Sequence, residues 1–274
     1  MKKEENLLMK ARKKGVLTMA HRGNCTSALV DNTCQAFAHT LNQGADILEM
    51  DVFSSTDGEL FLFHTGMERV FLQEDIHVDE LDGAQIRKLR QFNRIGELTG
   101  QGIDRLEDAL KLTKDRCILN LDRCDKIFGQ VTELVKKYGM EDQILLKSVP
   151  TRENLFRMER EGAGFMYMPI QRYSLEGLDW ALESNLNVVG IELTFDDADM
   201  VSPERMKKWH EKGYVLLTNS LSLGGRTLNA GHDDDLSVSN GPDQGWGWLA
   251  DRGFDIIQTD YTDRLTAYLR RRGI

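Results

Sequence analysis

A (β/α)8 barrel of the α/β class is the fold this sequence predicts, and three observations predict it. Eight short apolar runs, starting near residues 16, 46, 117, 142, 165, 187, 214 and 254, alternate with segments of helical periodicity. The side chains able to do chemistry fall at the C-terminal ends of those runs, the face on which such barrels carry their sites. The rival, a doubly wound open sheet, calls for a Gly-x-Gly-x-x-Gly turn after the first strand, and none is there. One barrel accounts for all 274 residues, and no Gly/Ser-rich linker divides them, so 1–274 reads as a single domain.

The first strand, 16–20, delivers His21. After a polar loop over 24–31, residues 33–41 place Cys34, Phe37, Ala38 and Leu41 on one helical face, with Gly44 as C-cap. A strand over 46–52 follows, then the Asp57-Gly58 turn signal and an extension over 59–64. Residues 65–104 form an excursion over the barrel mouth, with a helix near 83–89. Asp104-Arg-Leu-Glu107 has the pattern of a capping box, with Asp104 as the cap of a helix whose inner face is Leu106, Ala109, Leu110 and Thr113.

The alternation then becomes regular. A strand over 117–122 is followed by a helix over about 126–138, and a strand over 143–149 by a helix opened by Pro150-Thr151 and ending before Gly162. Strand 165–168 precedes helix 175–183. Strand 187–193 precedes a helix capped by Ser202-Pro203, which carries Met206 and Trp209 and stops at Gly213. The last strands are 214–218 and 254–258, and a terminal helix spans 264–271. Between those strands lies a long connection, about 219–248, holding Gly224-Gly225, Asp233-Asp-Asp235, Gly241-Pro242 and Gly245-Trp-Gly-Trp248. Loops of that length carry function or move.

Charged residues make up 29% and the formal net charge is −9, which disfavours general nucleic-acid binding but leaves room for a local anion site in the mouth. No stretch approaches the roughly 20 apolar residues of a membrane span, and Leu7-Leu-Met9 is too short for a secretory signal core, so the expectation is a cytoplasmic protein. Cys25, Cys34, Cys117 and Cys124 form no CxxC pair, so free thiols are expected.

The chemistry concentrates in 19–64. Glu49 and Asp51 are two apart on a strand and share a face. Paired carboxylates repel each other unless a hard cation sits between them, and Mg²⁺ or Ca²⁺ prefers such oxygens. Arg22 offers the fork of donors that suits phosphate, and His21 and His64, with ordinary pKa values of roughly 6.5, can divide proton removal and donation. The combination points to metal-assisted attack on a phosphate ester.

From His21-Arg22-Gly23 onward the chain resembles the glycerophosphodiester phosphodiesterase family. The resemblance runs through Asp31-Asn32-Thr33, Gly44-Ala-Asp46, Glu49-Met-Asp51, Thr56-Asp57-Gly58 and His64. It resumes at Asn120-Leu-Asp122, Trp209, Leu217-Thr-Asn219 and Asp255-Ile-Ile-Gln-Thr-Asp260. It implies a TIM barrel of the PI-PLC-like phosphodiesterase type, with His21 and His64 as the catalytic pair. Glu49, Asp51 and Asp122 would ligate one divalent cation, Arg22 would contact the phosphate, and Asn32 would hold the first loop. The substrate would be a small glycerophosphodiester, cleaved through attack by its own neighbouring hydroxyl to a cyclic phosphate that water then opens.

Two positions depart from the family pattern. Relatives usually follow the second histidine with aspartate, where this chain has Thr65, and carry lysine at the position of Cys124. Lys147, near the end of the next strand, is the candidate to replace that charge, with a solvent-facing lysine as the plainer alternative.

Glu192, at the end of the sixth strand, reads either as an acceptor for a substrate hydroxyl or as a salt-bridge partner. Trp248, with Trp246, would form an apolar wall for the substrate, burial being the alternative. His39, His77, His210 and His232 lack carboxylate company, and Asp233-Asp-Asp235 reads as a solvated turn. Two other functions stay open: lyase-type cleavage of a phospholipid head group to a cyclic phosphate, and an inactive barrel that binds phosphate ligands.

Overall fold

The computed structural model describes residues 7–13, 15–23, 28–222 and 228–274; Cys25 and the Gly224-Gly225 pair lie outside them. Nine strands are present among these residues: β1 (Leu17–Ala20), β2 (Ile47–Ser54), β3 (Leu60–Leu62), β4 (Ile118–Asp122), β5 (Ile144–Ser148), β6 (Met166–Arg172), β7 (Gly190–Thr194), β8 (Val215–Asn219) and β9 (Ile256–Thr259). Each main strand pairs in parallel with its neighbours, and β1 pairs with both β2, at Met19↔Ile47, and β9, at Leu17↔Ile256, so eight strands close a barrel. The ninth, β3, folds back antiparallel on β2 with Val52 opposite Leu62.

The two-residue alternation of a strand sorts the barrel interior by height. Ile47, Ile118, Leu145, Met166, Val215 and Ile256 pack into one basal cluster with Leu8 of the N-terminal helix Leu7–Arg12, which plugs the floor. Further along the same strands stand Glu49, Asn120, Lys147, Glu192 and Gln258, all buried. The register of β2 on β4 sets Glu49 opposite Asn120 and Asp51 opposite Asp122. That pairing brings three acidic side chains to one point.

Helices cover the outside through faces the sequence predicts. Helix Leu106–Thr113 buries Leu106, Ala109, Leu110 and Thr113, and helix Pro203–Glu211 buries Met206 and Trp209 behind the cap of Ser202. Thr151 caps helix Arg152–Glu161 by accepting from the Asn154 N–H. The excursion is held by its own cluster, in which Phe63, Phe71, Leu72, Val78, Ile86 and Ile103 pack with Phe53 and Phe61 of the β2–β3 hairpin. Among the described residues, no helix is long and apolar enough to cross a membrane.

Several local expectations change. Asp104 does not cap its own helix: its Oδ2 accepts instead from the Cys34 N–H at 2.7 Å, at the start of helix Cys34–Gln43, and helix Leu106–Thr113 starts after Arg105 without a side-chain cap. In helix Cys34–Gln43, Phe37 is buried and Cys34 and Leu41 pack against the core as expected, and Ala36 and Thr40 join that face, the Thr40 hydroxyl donating to the Gly23 carbonyl. The helix near 83–89 is only Gly83–Ile86, capped by Asp82. Strand β6 extends to Arg172, and the helix after it starts at Leu178. Cys34, Cys117 and Cys124 are free thiols, as expected.

Candidate active site

Beyond β1 the chain turns over the rim. Arg22 adopts φ 53°, a left-handed conformation that costs an L residue about 1–2 kcal/mol, and its N–H is held by Glu49 Oε2 at 2.9 Å. The next residue must be glycine, since at φ +60° a Cβ on Gly23 would come within 2.7 Å of the Phe37 ring. Asn32 ties the first loop to β2 by donating to the Asp51 carbonyl at 2.9 Å and accepting from the Asp51 N–H at 3.2 Å.

A cavity of about 710 Å³ opens at the C-terminal ends of the strands, a size usual for small-ligand sites. His21, Arg22, Glu49, Asp51, His64, Asp122, Lys147 and Glu192 all line it. Glu49, Asp51 and Asp122 each offer an oxygen within 4.8 Å of the others. Burial and the neighbouring Asp51 push the Glu49 carboxyl up to about 8. Burial alone would raise Asp122 too, but the Lys147 ammonium and the Arg123 N–H outweigh it and hold that carboxyl below its usual range.

The two histidines sit in opposite electrostatic surroundings. His21 Nδ1 is 2.8 Å from Asp260 Oδ1, just past β9. Burial would lower the His21 pKa, but the Asp260 carboxylate and Glu49 outweigh burial, so the ring holds its proton above the ordinary histidine range. His64 is carried to the site by β3, whose hairpin is continued by the Phe63 N–H donating to the Asp51 carbonyl at 3.1 Å. Burial lowers the His64 pKa, and Arg22 and Arg123 add to the effect against the pull of Asp51.

Lys147 Nζ lies 2.6 Å from Glu192 Oε2 and 3.8 Å from Asp122 Oδ2. Desolvation opposes the ammonium, yet Glu192, Asp122 and Glu49 together keep it charged well above its usual range. Glu192 also accepts from Asn219 Nδ2 at 2.7 Å, so the salt-bridge alternative is what the geometry contains. Arg22 Nε approaches Asp51 Oδ2 to 2.7 Å without the alignment of a hydrogen bond, which leaves a buried donor and a buried acceptor unsatisfied.

Trp248 is not on the cavity wall, contrary to expectation. Its indole stacks on His232, with centroids 3.8 Å apart and planes within 5°, and the Arg252 guanidinium lies 4.5 Å from its ring centroid, so neighbours from its own connection occupy the ring. Trp246 is buried, donating from Nε1 to Asp234 Oδ1 at 2.7 Å. Asp234 itself is no solvated turn residue. It is fully buried and accepts from Ser220 Oγ, Thr259 Oγ1 and the Asp260 N–H as well, with burial pushing its carboxyl up to about 6. Asp234 thereby fixes the residue that holds His21.

Asp260, Arg123 and Asp234 are functional candidates to which the sequence reading assigned no role. Asp260 and Arg123 each follow the end of a barrel strand, the same rim rule that singled out His21; Asp234 has no local signal, because its partners come from three distant segments.

Comparison with known proteins agrees with this fold. Residues 21–162, just over half of the chain, match the model described as the glycerophosphoryl diester phosphodiesterase family, and residues 167–269 match a second model described as a domain of unknown function. A Mycobacterium tuberculosis protein named "Probable glycerophosphodiester phosphodiesterase 2" is 22% identical over 270 residues, covering 94% of this chain and 92% of its own. Among solved structures, a glycerophosphoryl diester phosphodiesterase from Parabacteroides distasonis superposes with TM-score 0.73 at 18% identity, covering 94% of this chain and 87% of that one. An Oleispira antarctica phosphodiesterase in complex with the product sn-glycerol-3-phosphate gives 0.70 at 17%, covering 94% and 99%. At such identities the structures speak for the fold, while the family model rests on the half of the chain that carries both histidines and all three carboxylates, and the chain belongs to the glycerophosphoryl diester phosphodiesterase family.

Proposed function

We propose that this protein hydrolyses a small glycerophosphodiester to glycerol phosphate and an alcohol, assisted by one divalent cation, with His64 as base and His21 as acid. The observation that carries the reading is the convergence of His21, Arg22, Glu49, Asp51, His64 and Asp122 on one cavity. Family membership and the buried acidic cluster support metal-assisted hydrolase chemistry.

The three carboxylates fit a hard cation. Their donors are all oxygen, Asp51 Oδ2 has no hydrogen-bond partner, and burial together with the neighbouring Asp51 charge raises the Glu49 pKa, a cost of ionisation that a cation relieves. Once bound by Glu49, Asp51 and Asp122, Mg²⁺ or Ca²⁺ supplies Lewis-acid charge to the phosphoryl group.

The remaining steps belong to side chains. His64, whose surroundings favour the neutral ring, removes the proton of the attacking hydroxyl; His21, whose protonated form Asp260 favours, gives a proton to the departing alcohol. Arg22 faces the charge that builds on the phosphoryl oxygens. In the hydrolytic step the roles reverse, with His21 activating water. Charged groups on the cavity wall, among them Arg123, Asp125, Lys126 and Arg172, favour a soluble diester over a lipid tail.

The test is release of glycerol phosphate from a soluble glycerophosphodiester by chelator-treated protein before and after Mg²⁺ or Ca²⁺ is restored. Restoration of turnover supports the reading. Full activity in excess chelator, or none with either cation, rejects it.

A further inference from the structure

Arg123 follows Asp122 at the end of β4 and lines the cavity. Its φ of 58° lies in the left-handed region, which an L side chain enters only when its surroundings hold it there. Those surroundings are specific. The Arg123 N–H donates to Asp122 Oδ1 at 2.9 Å, Nη1 donates to His64 Nε2 at 3.2 Å, and Nη2 donates to the Thr65 carbonyl at 3.3 Å and to Thr65 Oγ1 at 3.2 Å. An arginine only donates, so His64 Nε2 is the acceptor in this contact and the ring is neutral.

Three of the five guanidinium N–H groups are thus committed, and every acceptor is uncharged. Two buried cations of the cavity contrast with it: Arg22 lies 2.7 Å from the Asp51 carboxylate and Lys147 2.6 Å from that of Glu192. A carboxylate answers each of those charges. The side-chain contacts of Arg123 leave its charge for a ligand. Thr65 is what makes this so, because a carboxylate at that position would lie against Nη2 and cancel it. Cys124, the next residue, turns into the core, where Sγ donates to the Leu121 carbonyl, and adds nothing to the cavity.

We infer that Arg123 is a phosphate-binding residue, meeting the phosphoryl group through its Nε–H and Nη1–H groups, which frees the His64 Nε2 lone pair to take a proton, while Nη2 stays on Thr65. A planar fork anchored on one side and open on the other suits phosphate oxygens. The inference rests on this cavity being the phosphodiester site proposed above. It also gives Thr65 and Cys124, the two departures from the family pattern, one explanation: the cation has moved one residue along β4 and its neighbour has become neutral.

The test is calorimetric titration of inorganic phosphate, at fixed Mg²⁺ concentration, into wild type, Arg123→Gln, Arg123→Lys and Thr65→Asp, with a diesterase assay on each. Arg123→Gln is expected to weaken phosphate on the order of tenfold or more, the loss of a charge-assisted contact, and Arg123→Lys to recover part of it. Thr65→Asp, which leaves the guanidinium in place, is expected to weaken phosphate as Arg123→Gln does; it also serves if Arg123→Gln does not fold. Phosphate affinity unchanged in either of these two variants, or absent in wild type, overturns the inference. If wild type lacks diesterase activity but Arg123→Gln still loses phosphate affinity, the diesterase reading fails and the role of Arg123 stands.

Discussion

His21 and His64 differ in what surrounds them, and that difference predicts a pH profile. The base must be unprotonated and the acid protonated, so kcat/KM should rise through the lowered pKa of His64 and fall through the raised pKa of His21. His64→Ala should remove the acidic limb and His21→Ala the alkaline one, each lowering turnover by at least about 10²-fold. A profile with both limbs intact in either variant would reassign that histidine. Glu49 yields a second prediction. With its carboxyl pushed up to about 8, it carries a proton at pH 7 that a bound cation must displace. Calorimetry in buffers of different ionisation enthalpy should therefore show proton release on Mg²⁺ or Ca²⁺ binding at pH 7 and little release well above pH 8, where the group is already ionised. Release that does not change with pH would mean that Glu49 is ionised throughout.

At the scale of elements, the connection between β8 and β9 works as a brace. Asp234 gathers Ser220 from the end of β8, Trp246 from the connection, and Thr259 and Asp260 from the end of β9. Asp234→Ala would leave Trp246 Nε1, Thr259 Oγ1 and the Asp260 N–H without this acceptor, while Ser220 Oγ keeps the Gln258 carbonyl; at about 1–3 kcal/mol for each that finds no water, a loss of at least about 3 kcal/mol is expected. Denaturant unfolding measures it. Because Asp260 is among the stranded donors and holds His21, turnover should fall as well, and hydrogen exchange should quicken over 228–248. A variant as stable as wild type would show that water replaces the carboxylate. The excursion is braced in the same way, with Arg94 paired to the buried Asp31 carboxylate at 2.5 Å, so this segment is clamped to the first loop rather than hanging free.

At the scale of the whole molecule, the cation should act as a staple between β2 and β4. A ligand at 100 times its Kd stabilises the native state by about 2.7 kcal/mol, which for a chain of this size is on the order of 5–10 °C in Tm. Saturating Mg²⁺ or Ca²⁺ should give a shift of that order in wild type and none in Glu49→Gln or Asp122→Asn; an equal shift in those variants would place the ion elsewhere. The barrel, and the delivery of His21, Glu49 and Asp51 to its rim, were legible in the chain because strand alternation and helix periodicity are local, and the capping of Ser202 and Thr151 is local too. Asp104, Trp248, Asp234 and the Lys147–Glu192 pair were not legible, since the partner that decides each lies outside its own element. Sequence by itself determined which side chains reach the mouth, because a residue's height and face follow from its place in its own strand. Only the tertiary structure decided which charges remain for a ligand, because cancellation depends on which distant strand the closed barrel brings alongside.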